Sequence, residues 1–195
     1  MLSVPSRVTA ATGFDAFTHA FESYLGKRTS PLTEYLSLET IRLVVEYLPK
    51  SIQKPNSIEY RTKLAWADTA AGICLSNGGA DLPHPLGEII GGICQRIAHG
   101  ETLAIVYPAF LEYKEKIAAE KFRNIASYLG IEKTPKALTN EIIGLLKTTD
   151  LIGSKSRAAI TLNEQAEILS HPLLKKLDPK NSEKILSIMS QSIEE

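Results

Sequence analysis

Apolar residues recur at helical spacing along almost the whole of this chain, and nowhere do they alternate as in a half-buried strand. That periodicity restricts the fold class to all-α, read as a single helical bundle domain over residues 1–195. Phe14, Phe17, Phe21, Tyr24 and Leu25 form a stripe that opens at Thr12 or Gly13 and stops at Gly26. The spacing of the three phenylalanines marks them as core rather than as substrate contacts. Ser30-Pro31 is a helix start signal, and Leu32, Tyr35, Leu36, Ile41, Val44, Val45 and Leu48 carry the second helix to Pro49.

A third helix is predicted from Asn56 or Ser57 to residue 76, closed by Asn77-Gly78-Gly79. Its small residues, Ala65, Ala67, Ala70, Ala71 and Gly72, predict a central helix packed on all sides. Shorter helices are predicted over residues 86–93, 101–113, 122–129, 138–146, 163–169 and 182–189, with Pro108 kinking or dividing its own helix. Residues 148–161 are the most loop-like stretch.

Composition narrows the function classes. The 195 residues suffice for one substantial core, and 44% apolar with 23% charged residues is ordinary for a folded soluble domain. Lysine plus arginine equals aspartate plus glutamate at 22 each, so no net field recommends nucleic acid or an anionic membrane as a partner. No apolar run reaches the roughly 18 residues of a membrane span. Met1-Leu2-Ser3-Val4-Pro5 lacks the basic and apolar segments of a secretory signal. Cys74 and Cys94 lie in apolar, helix-like surroundings and are expected to be buried thiols of a reducing cytoplasm, not a disulfide.

Three of the four histidines, with one aspartate, concentrate in two short stretches. Asp15 and His19 stand four apart, on one face of the first helix about one turn from each other. An ordinary helix-surface hydrogen bond would account for that pair alone. His84 lies between Pro83 and Pro85 at a helix start, and His99-Gly100 follows fifteen residues later at a turn into another helix. Capping or packing would account for either alone, and the glycine lets the backbone come close to something bulky. Together they lie in apolar, helix-dense sequence, where burying three imidazoles and a carboxylate without partners is costly. A divalent metal satisfies them jointly, and this donor set suits both Fe2+ and Zn2+. His171, before Pro172 in a polar region, is read as a surface residue.

These residues carry a family resemblance. Pro5-Ser6-Arg7-Val8-Thr9-Ala10-Ala11-Thr12-Gly13-Phe14-Asp15-Ala16-Phe17-Thr18-His19-Ala20-Phe21-Glu22-Ser23-Tyr24 resembles the first metal-binding signature of the iron-containing (group III) alcohol dehydrogenases. Gly78-Gly79-Ala80-Asp81-Leu82-Pro83-His84 through Ile97-Ala98-His99-Gly100 resembles the second. The likeness is specific from about Thr9 to Tyr113 and thins beyond Phe122 to helix pattern and an Asp178-Pro179 tail leading into Ile185-Leu186. It implies the helical C-terminal domain of that family, similar to dehydroquinate synthase, with Asp15, His19, His84 and His99 as ligands of Fe2+ or Zn2+. It also implies hydride exchange between a small alcohol, or an aldehyde or ketone, and NAD or NADP.

The chain departs from the family pattern twice. The glycine-rich phosphate-binding turn of an N-terminal α/β domain is missing, since Gly78-Gly79 and Gly91-Gly92 follow helical sequence. The nucleotide-binding domain is therefore expected to be absent, as in an excised domain, a truncated gene product or half of a split enzyme. Second, many members carry a further histidine four residues after the one matching His84. Here that position is Glu88, a carboxylate that would have to relay the proton instead. The leading expectation is the metal-binding catalytic domain of such a dehydrogenase, as a homodimer or with a separate nucleotide-binding chain. The alternative is a catalytically inactive assembly module. Glycerol dehydrogenase or dehydroquinate synthase ranks last, because the Asp-x-x-x-His arrangement at Asp15 and His19 differs from their usual ligand sets.

Overall fold

In the computed structural model, which describes residues 1–152, 160–178 and 182–194, the apolar stripes become ten helices among those residues and no strand. They are α1 (Ser6–Leu25), α2 (Pro31–Gln53), α3 (Ile58–Gly78), α4 (Pro83–Ile93), α5 (His99–Ile117), α6 (Ala119–Tyr128), α7 (Pro135–Thr148), α8 (Leu162–Ser170), α9 (Pro172–Leu177) and α10 (Ser182–Glu194). This is the all-α class the periodicity predicts. None of these helices is long and apolar enough to cross a membrane.

Local chemistry sets the boundaries. Ser30 and Thr33 form a reciprocal cap at the start of α2: the Ser30 hydroxyl accepts from the Thr33 amide at 3.2 Å, and Thr33 Oγ1 accepts from the Ser30 amide at 2.8 Å. Prolines, which have no amide hydrogen to leave orphaned, open α2, α4, α7 and α9. Gly79 closes α3 with φ of 82°, a conformation that favours glycine.

The sequence reading errs at several positions. Helix α1 begins at Ser6, not near Thr12, because Pro5 fixes the entering backbone and Thr9, Ala10 and Ala11 pack inward. Helix α2 continues through Pro49 to Gln53, where a missing amide in the last turns costs little helix beyond it. Helix α5 runs unbroken through Pro108, since nearly every residue from Gly100 to Leu111 is buried and that burial outweighs the roughly 3 kcal/mol cost of an interior proline. Helix α9 is a short turn whose pattern the sequence does not announce. Residues 153–159, within the loop-like stretch, and Pro179 lie outside the described residues.

Helix α3 is not packed on all sides. It buries Arg61, Leu64, Ala67, Ala70, Ala71, Cys74 and Gly78 on one side, while Ile58, Trp66 and Ile73 are exposed. Ala67, Ala70 and Ala71 serve that inner side while Gly72 faces out, and a Cβ on Gly78 would collide with Ser23 of α1, whose hydroxyl donates to the Cys74 carbonyl at 2.9 Å. The enclosed helix is α5, against which α1, α4, α7 and α10 pack.

Along α1, Phe14, Phe17 and Phe21 stack with ring centroids 5.6 and 5.4 Å apart, and Tyr107 of α5 meets Phe14 edge-on at 5.0 Å. All four rings are fully buried, as expected of core residues. Cys74 and Cys94 are buried and free.

Candidate metal centre

The register that buries the phenylalanines turns Asp15, His19 and Glu22 together onto another face of α1. Into that face come the first turns of two other helices. Pro83 and Pro85 stiffen the start of α4 around His84, and His99 is the first residue of α5. Gly100 is pressed against the carbonyl of Ala11, with no room for a side chain between the two helices.

Three imidazoles consequently point at one oxygen. Asp15 Oδ1 lies 3.4 Å from His19 Nε2, 3.7 Å from His84 Nε2 and 3.7 Å from His99 Nε2. The ligand atoms of Asp15, His19 and His84 all fall within 4.8 Å of one another. The His19 and His84 rings stack with centroids 4.8 Å apart, while His99 stands outside that close trio on the open side, its centroid 5.6 Å from that of His84 and 43% of its side chain exposed. Asp15 Oδ1 and His84 Nε2 are both buried without a hydrogen-bond partner. Two buried polar atoms facing each other without hydrogen-bond partners are costly, and a shared cation relieves both. The residues present therefore fit a divalent metal bound by nitrogen and oxygen donors.

Behind the cluster sits a residue the sequence reading passed over. Glu22 is 1% exposed, and its Oε2 accepts from the Asp81 amide at 2.7 Å and lies 2.9 Å from His84 Nδ1. The Tyr107 hydroxyl donates to Oε1 at 3.4 Å. The sequence signal was its place seven residues after Asp15 and three after His19, on the same helix face.

Charge and burial compete throughout. Burial pushes the Glu22 carboxyl up to about 7, against the pull of the His84 hydrogen bond. Burial opposes the charged form of His84 too, but Asp15 and Glu22 on either side of the ring outweigh it and raise that imidazole to about 9. At His19 burial prevails over the attraction of Asp15, and the imidazole is held below its ordinary value. Asp15 is held low, because the three imidazoles overcome a burial that would raise it.

Beside Asp15 and His99 opens a cavity of about 400 Å³ between the first turns of α1 and the α4–α5 loop. Arg7 and Arg96 stand in its walls, each engaged with a carboxylate: Arg7 with Glu101 at 2.6 and 2.7 Å, Arg96 with Glu164 at 2.6 and 2.7 Å. Glu88 is exposed on α4, one turn beyond His84. His171 is half-buried between α8 and α9, where its Nδ1 accepts from the Leu173 amide at 3.4 Å and caps α9.

Residues 9–185 match the family model for the C-terminal part of the Fe-containing alcohol dehydrogenases. The chain belongs to this family. Over 130 residues it is 34% identical to the NAD-dependent methanol dehydrogenase of Bacillus methanolicus, covering 67% of this chain and 34% of that protein. It is 32% identical over 130 residues to the 1,3-propanediol dehydrogenase of Citrobacter freundii, covering 67% of this chain and 33% of the relative. Among solved structures, the archaeal halo-thermophilic alcohol dehydrogenase from a Red Sea brine pool superposes with a TM-score of 0.85 at 26% identity, over 98% of this chain and 52% of the other. The chain thus spans about a third of the length of these curated family members and about half of that solved chain.

Proposed function

We propose that this chain is the metal-binding catalytic half of an NAD(P)-dependent alcohol dehydrogenase, with Asp15, His19, His84 and His99 holding Fe2+ or Zn2+. The observation that carries the reading is the convergence of three imidazoles on a single buried carboxylate oxygen that has no hydrogen-bond partner. A divalent cation held there would supply Lewis acidity toward the oxygen of an alcohol, aldehyde or ketone.

The chain's own residues orient and insulate. Asp15 brings the negative charge, and His99 stands where an incoming small molecule meets the group. The guanidiniums of Arg7 and Arg96 are already engaged with Glu101 and Glu164, so neither is free to hold an anionic substrate, which suits a small neutral alcohol or carbonyl compound. Exposed Glu88, one turn past His84, is our candidate for passing a proton to solvent. NAD or NADP falls to a nucleotide-binding domain outside these 195 residues, in the same polypeptide or a separate chain. Two free, buried thiols suit a cytoplasmic setting.

Reconstitution tests this reading. The chain is combined with the nucleotide-binding half of a relative, loaded with Fe2+ or Zn2+, and assayed for NAD(P)-linked oxidation of small primary alcohols. Metal-dependent turnover is expected. A metal-loaded, assembled complex without turnover would mean that the chain is an assembly module.

A further inference from the structure

We infer that Glu22 is a positioning residue: it holds the proton on Nδ1 of His84 and so turns the bare Nε2 of that ring toward the cation. The inference rests on the metal-binding reading above and extends it one layer behind the four candidate ligands.

An imidazole offers two nitrogens, and which one carries the proton decides which one can bind a metal. His84 Nδ1 faces inward, 2.9 Å from Glu22 Oε2, while Nε2 faces Asp15 Oδ1 at 3.7 Å. The same Oε2 already accepts from the Asp81 amide at 2.7 Å, which favours its bare, ionised form and with it a proton on Nδ1 between the two residues. The Tyr107 hydroxyl at 3.4 Å holds the other carboxylate oxygen. Glu22 thus cannot swing away, and prolines on both sides of His84 restrict the ring from its own backbone.

A purely structural role accounts for less of this. Anchoring the Asp81 amide calls for an acceptor, which a serine or an asparagine supplies. It does not call for a carboxylate buried to 1% exposure beside Tyr107, where an ionised group is costly unless a positive charge lies close by. The unpartnered, buried Nε2 on the far side of the ring marks where that charge belongs. Carboxylate support of a metal-bound histidine also raises the ring's basicity, and its loss typically weakens metal binding 10- to 100-fold.

Glu22→Gln separates the two roles, because the amide oxygen still anchors the Asp81 amide while the negative charge that draws the proton to Nδ1 is gone. Zn2+ alone, titrated into the metal-free 195-residue chain by competition with a chromogenic chelator, is expected to bind the variant about 10- to 100-fold more weakly than wild type. Should the variant not fold, the wild-type protein still decides: long-range proton–nitrogen correlation spectra of the zinc-loaded chain are expected to place the His84 proton on Nδ1. A proton on Nε2, or a folded Glu22→Gln chain that binds zinc as tightly as wild type, overturns this inference alone. A wild-type chain that binds no zinc overturns it together with the metal-binding reading.

Discussion

The backbone of Gly100 at the start of α5 rests directly on the carbonyl of Ala11 in α1, so closely that a single methyl group would collide with it. This contact sets how near His99 comes to Asp15. The two helices are also clamped by Arg7, which pairs with Glu101 one residue beyond Gly100, while Glu101 itself caps the Ala98 amide at 3.0 Å.

Gly100→Ala should therefore wedge α5 away from α1. Because backbone rather than a flexible side chain receives the added methyl, we expect a loss of about 1–3 kcal/mol in stability. The His99 imidazole would move with the helix. Chemical denaturation measures the first effect, and zinc affinity, expected to fall alongside stability, measures the second.

The opposite outcome is expected at Gly72. It sits on the exposed side of α3, and a Cβ there would meet nothing within 4 Å. Gly72→Ala should raise stability by about 0.5–1 kcal/mol through helix propensity alone. Thermal unfolding of the two glycine variants side by side reads both signs.

These two glycines show where the sequence was legible. His99-Gly100 announced a close approach from its residue types, and Ser30-Pro31 and Asn77-Gly78-Gly79 announced helix ends, because caps and breakers act locally. Asp15, His19, His84 and His99 stood out because titratable side chains in apolar helical sequence need partners. What remained hidden was set by distant contacts. The exposure of α3 depends on which neighbours cover it, so its run of alanines read as buried all round. Pro108 read as a break because the burial that overrides it comes from other helices. Glu22 read as an ordinary helical glutamate, since its partners Asp81, His84 and Tyr107 are 59, 62 and 85 residues away.

A pH-dependent prediction concerns Glu39 on α2. Its carboxylate receives Arg42 through two hydrogen bonds of 2.9 and 2.7 Å and the Tyr128 hydroxyl at 3.2 Å, tying α2 to the end of α6. The Arg42 hydrogen bonds hold the Glu39 carboxyl below the ordinary glutamate value despite some burial. A depressed folded-state value means the stabilisation is present above the unfolded-state value and is lost as pH falls through the folded one. Glu39→Gln should cost about 0.5–1 kcal/mol at pH 7. The difference from wild type should vanish in acid, where both side chains are neutral. Urea midpoints at the two pH values check this, and an equal cost in acid would show that shape, not charge, is responsible.

If Asp15, His19, His84 and His99 hold one metal ion, the bound metal must follow these side chains. The chain, freed of metal and exposed to one equivalent of Fe2+ under anaerobic conditions or of Zn2+, is desalted and its bound metal quantified alongside Asp15→Ala and His99→Ala. We predict close to one ion per wild-type chain, a large loss in Asp15→Ala, whose oxygen all three imidazoles face, and a clear loss in His99→Ala. Folded variants that retain the wild-type metal content would contradict the assignment.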